Sequence, residues 1–107
     1  MKIEQGVKLA IDLMKANKRR SWNLILTTDI YNDSFCDHST KSIGLSRMFI
    51  ESNTKDAVAD SILHALAHAL CKPDAGHGDE WFAMCLKIGA DPVTFRKDKK
   101  STSNIIY

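Results

Sequence analysis

The sequence predicts an α+β domain of three main helices and a short β-sheet. Apolar residues recur at helical spacing in three stretches, near residues 3–17, 54–71 and 79–88. Between the first two lie two short runs, residues 22–28 and 42–46, that carry bulky or β-branched residues and are too brief for a typical helix. The 107 residues, 44% hydrophobic and 26% charged, suffice for one modest core and one site.

In residues 3–17, Ile3, Val7, Ala10, Ile11 and Met14 share one helical face, with Lys and Asp between them, so the first helix is amphipathic. Lys15, Lys18, Arg19 and Arg20 crowd its C-terminal end. They either complement the negative end of the helix dipole or form a small phosphate-facing patch. The first strand follows at residues 22–28. Residues 29–40, with Asn32, Asp33, Ser34 and Asp37, are polar and read as a loop or irregular hairpin connection. The alternation of Ile43 and Leu45 makes residues 42–46 a second strand with one face toward a helix layer. Residues 47–51 add one helical turn.

The central helix begins near Thr54, whose hydroxyl can cap the first turn, and ends around Cys71 because Pro73 cannot continue it. Val58, Ile62, Leu66 and Ala69 are assigned to the core. Ala57, Ser61, His64, Ala65 and His68 are assigned to a chemical face. His64 and His68 lie four residues apart, about one turn along that face, where two imidazoles can grip one metal ion. Gly76 and Gly78 flank His77 and let the backbone swing a third imidazole back over the helix. One coordination position is then left for water, which is the layout of a catalytic zinc site. In zinc peptidases with the pattern His-Glu-x-x-His, the residue after the first His is the general base. Here that residue is Ala65. Glu80 either hydrogen-bonds a ligand imidazole from behind or simply opens the last helix, which runs from residue 79 or 80 to 88 and stops at Gly89. Trp22 and Trp81 read as core anchors.

Three segments together resemble the SprT-like family of small zinc metalloproteases: Leu63-His64-x-x-x-His68-Ala69-Leu70, Gly76-His77-Gly78-x-Glu80-Trp81, and Leu86-x-x-Gly89-Ala90-Asp91-Pro92. The Ile43-Gly44-Leu45-Ser46 strand also fits, so the likeness spans about residues 22–92. It implies a zincin-like fold, His64, His68 and His77 as ligands of Zn²⁺, and a protein or peptide substrate. In active members the glutamate at the position of Ala65 takes a proton from the attacking water. Many members add a four-cysteine zinc ribbon associated with DNA; this sequence has none.

The composition turns polar and basic after Pro92, which divides the chain into a metalloprotease-like domain at 1–95 and a basic polar tail at 96–107. That tail, with Arg96 and Lys97, is loosely held unless Ile105, Ile106 and Tyr107 dock on the body. Ala65 spares the ligands while removing the proton acceptor, so this form is expected to be inactive. An engineered exchange of glutamate is favoured over a natural pseudoprotease that binds nucleic acid or protein. A net charge of +2 is too mild to establish a nucleic-acid partner. DNA or a DNA-bound protein would be met through Lys15, Lys18, Arg19, Arg20, Arg96 and Lys97. Cys36, Cys71 and Cys85 are an odd count with no close pair, which points to reduced thiols and a cytoplasmic setting. No signal peptide or membrane span is legible.

Overall fold

The computed structural model describes residues 1–92 and 105–107. Chain order is α1 (Ile3–Ala16), β1 (Asn23–Thr27), β2 (Ser34–Asp37), β3 (Ser42–Ser46), α2 (Arg47–Ser52), α3 (Lys55–Leu70), α4 (Asp79–Ile88) and β4 (Ile105–Ile106). Six elements fall where periodicity and punctuation place them. Thr54 caps α3 by accepting from Ala57 N–H at 3.3 Å, and Gly89 ends α4 in the left-handed region at φ 92°. The polar stretch 29–40 contains an unexpected strand, β2, and the C-terminal residues dock as β4.

The four strands run β1-β3-β2-β4 across one sheet, with β1 parallel to β3 and the other pairs antiparallel. β3 is central and buried along its whole length. Ile43 and Leu45 meet Ala10 and Met14 of α1, Ile50 of α2, and Val58, Ile62, Leu66 and Ala69 of α3 in the main core. A second cluster joins Ala67 and Cys71 to Trp81, Cys85 and Ala90, clamping α4 on the other side of α3. Residues 64–69 are therefore buried on every side, and α3 is the axis of the molecule.

Arg19 locks this arrangement from outside. Its Nε and Nη2 donate to the Ala69 carbonyl at 3.4 and 3.2 Å, near the end of α3, and its guanidinium lies 5.7 Å from the centre of the Trp22 ring.

Gly44 has a steric role. It faces Phe35 across the β2–β3 pair, and a Cβ there would lie 1.9 Å from the Phe35 ring. Gly44→Ala is expected to cost about 1–3 kcal/mol by overpacking. Urea titration measures this, and a variant as stable as the parent would contradict the close approach.

Candidate metal centre

Helix α3 presents His64 and His68, which are 4% and 0% exposed. His77 reaches them from the 71–78 connection. Gly76 takes φ 55°, and bonds from Ala75 N–H to Lys72 O and from Gly78 N–H to Ala75 O tighten two successive turns. The three Nε2 atoms converge: His77 Nε2 lies 3.2 Å from that of His68 and 3.4 Å from that of His64. All three donors lie within 4.8 Å of one another.

This set fits a metal ion on its own geometry. Tetrahedral ligand nitrogens about 2.0–2.1 Å from zinc are separated by roughly 3.3–3.4 Å. The His64 and His68 rings are buried, and a cation at the point where the three rings converge would engage all three. Burial pushes His64 down to about 4 and His68 to about 2, which keeps both neutral, the form that ligates.

Trp81, expected only as a core anchor, walls the site. Fully buried, it lies 4.9, 5.3 and 4.8 Å from the rings of His64, His68 and His77, stacking on His68 at 19°. Its Nε1–H donates to the His64 carbonyl at 3.4 Å, tying α4 to α3 at the centre. His68 Nδ1 is buried with no hydrogen-bond partner among the described residues. Ring stacking thus holds His68 where a carboxylate or carbonyl usually fixes a ligand imidazole. The spacing of Trp81 four residues after His77, on the next helix, was the available signal.

Ala65 follows His64 on α3; its methyl is 0% exposed, as is the His68 ring, and packs in the main core. Glu80 does not engage an imidazole; its Oε2 accepts from Lys72 N–H at 3.1 Å, since the first turn of α4 faces the connecting loop. The Tyr107 main-chain oxygen lies 3.2 Å from His64 Nε2, on the side of the histidines that faces the cleft. A cavity of about 440 Å³ extends from there, lined by Tyr31, Asn32, Asp33, Phe49 and Ser61 among others.

The remaining candidates lie elsewhere. Lys15, Lys18 and Arg20 are exposed at the end of α1, while Arg19 is turned onto Ala69. Arg96 and Lys97 lie outside the described residues. His38 sits edge-on to Trp22, with ring centres 5.7 Å apart. Cys36, Cys71 and Cys85 are free and buried, and burial pushes each thiol up to about 12. No described helix is long and apolar enough to cross a membrane.

A helix-borne histidine pair completed by a third histidine, packed against a small mixed sheet, defines a zincin-like metallopeptidase fold. The chain belongs to the SprT-like family, whose model matches residues 5–101. It is similar in structure to the metallopeptidase zymogen of Methanocaldococcus jannaschii jannalysin, with a TM-score of 0.66 over 88% of this chain and 85% of that one, at 17% identity. A search of curated protein sequences found no match.

Proposed function

We propose that the chain is a zinc-dependent endopeptidase domain in a catalytically disabled form. The convergence of the His64, His68 and His77 Nε2 atoms carries this reading. Three imidazoles converging this closely suit zinc. When bound, zinc polarises a peptide carbonyl and makes a water more acidic, toward a pKa near 7. The chain's own groups do the rest. Trp81 shields the histidines from behind, the cavity beside Ser61 and Phe49 receives polypeptide, and the methyl of Ala65 accepts no proton. The complete ligand set supports Ala65 as an engineered replacement of glutamate in an active parent. The description of the jannalysin structure as a metallopeptidase zymogen supports the same class.

The test is cleavage of an unfolded protein. Ala65→Glu should cleave it in a zinc-dependent manner and the parent should not; inactivity of the glutamate form toward every unfolded or DNA-bound substrate ends the proposal. The metal assignment has its own check. His77 is half-buried on a connection, so His77→Ala should fold yet lose more than about 100-fold in zinc affinity. Retention of one zinc per chain after dialysis would refute the ligand set.

The close packing of Ala65, at 0% exposure, favours a second reading. In it, alanine is native and the chain is a zinc-binding pseudoprotease that engages protein or nucleic acid. Its DNA version uses Lys15, Lys18 and Arg20 and requires binding that weakens with salt. The free buried thiols support a reducing, cytoplasmic setting for either form.

A further inference from the structure

We infer that Ile105–Tyr107 is a built-in occupant of the peptide cleft, adding to the edge of β2 as an extended substrate would and closing the metal corner with the Tyr107 main-chain oxygen. The inference rests on the peptidase reading of the site. It begins with β2, which pairs with β3 along one side. Its other side would be an open edge, a row of main-chain donors and acceptors that recruits a further strand. That edge is fixed alongside the metal helix. Ser34 Oγ donates to the Ser61 carbonyl at 3.0 Å and Ser61 Oγ donates to Ser34 Oγ at 2.9 Å, one turn before His64. Any extended peptide added to β2 therefore passes His64.

β4 is such a peptide. It pairs antiparallel, Ile106 with Cys36 and Ile105 with Asp37. Ile106 is 5% exposed, and the Tyr107 ring meets Phe35 edge-on with centres 6.2 Å apart. The strand runs toward the metal corner in its amino-to-carboxyl direction, as residues preceding a scissile bond would. Beyond Tyr107 the cavity of about 440 Å³ continues past Ser61, Phe49 and Asn53. The segment thus fills one arm of the groove. Two paired residues make a weak strand, but tethering places them at a millimolar-range effective concentration. A substrate must outcompete them.

The test uses the full zinc-loaded chain and a fluorescein-labelled Ser-Asn-Ile-Ile-Tyr peptide, the sequence of residues 103–107. Ile106→Asp should expel the strand and raise peptide affinity at least about 10-fold by fluorescence anisotropy. Equal affinity in parent and variant overturns the inference. Should the aspartate impair folding, Ile106→Cys serves instead, since Cys36 and Ile106 are partners across an antiparallel pair, a separation a disulfide can span. Diamide-oxidised protein, with the bridge verified by mass, should bind no peptide, and reduction should restore what the cysteine variant binds. A folded variant that forms no bridge, or a bridged one that binds peptide like the reduced form, also overturns it. In the Ala65→Glu background the two readings separate. Cleavage indifferent to the bridge sinks the strand inference alone. Binding that follows the bridge without any cleavage sinks the peptidase reading alone.

Discussion

Replacing Ala65 with glutamate is expected to raise zinc-dependent hydrolysis of unfolded polypeptide by about 10²- to 10⁴-fold over the parent, the usual contribution of a positioned general base. Helix geometry says the carboxylate can reach. At about 100° per residue, position 65 lies about 60° from His68 and about 40° from Ala69 around α3. It therefore sits on the border between the ligand face and the core face, and a glutamate side chain can lean from that border to the metal corner. Packing sets the cost. Ala65 is fully buried in the cluster that includes Cys36, Ile62 and Ala69, so the added atoms should reduce stability by about 1–3 kcal/mol. Ala65→Gln imposes the same crowding without a base and separates the two effects. Glutamate and glutamine variants of similar melting temperature should differ in rate by the full factor, and equal rates would show that position 65 has no part in proton transfer. Because Tyr107 closes the same corner, Ile106→Asp should raise the glutamate variant's rate further.

The legible parts of the fold were those with a long period or strong punctuation. α3 could be placed because Thr54 and Pro73 bound it, and α4 because Gly89 stops it. β2 was hidden because it is four residues long with polar ends. Ser34 and Asp37 read as loop residues, yet they are buried through bonds to Ser61 and to Ser39. A side chain that finds its partner 27 positions away leaves no local pattern. The metal ligands were visible because a helix repeats every turn and because glycines on both sides of His77 signal a sharp backbone path. The full burial of Ala65 was not legible for the opposite reason. A helix packed by the sheet on one side and α4 on the other is apolar all round, so its hydrophobic pattern does not mark where the core face ends. Arg19 shows the same limit for charge. Four cations in six residues suggest a surface patch, but one of them is spent on the Ala69 carbonyl.

Acid should unfold the metal-free chain well above the pH at which its carboxylates titrate. Burial lowers His64 from 6.5 to about 4 and His68 from 6.5 to about 2. Below pH 6.5 the unfolded chain takes up protons that the folded chain refuses, so stability is intact above 6.5 and falls as pH drops toward 4. At pH 5 each histidine costs about 2 kcal/mol, about 4 together, a large part of what a small domain possesses. His38, lowered mainly by its own burial, acts in the same direction. The carboxylates act later. Asp12, held low by its bond with Lys8, Asp29 by the Tyr31 amide, and Asp37 by the Ser39 hydroxyl, lose their contribution only as pH falls below 3.8. Zinc should shift the curve, because ligation uses the same neutral imidazoles: at a hundredfold excess over its dissociation constant it adds about 2.7 kcal/mol, and with His64 lowered to about 4 that gain should persist at pH 5 and be lost only as pH falls toward 4. Melting curves at pH 7 and pH 5, each with chelator and with zinc, measure both effects. His68→Ala should flatten the acid dependence of the chelated protein and abolish the zinc shift. Chelated parent protein that melts at the same temperature at both pH values would mean that these imidazoles are not held neutral by the fold, and the case for a preorganised metal centre would fall with it.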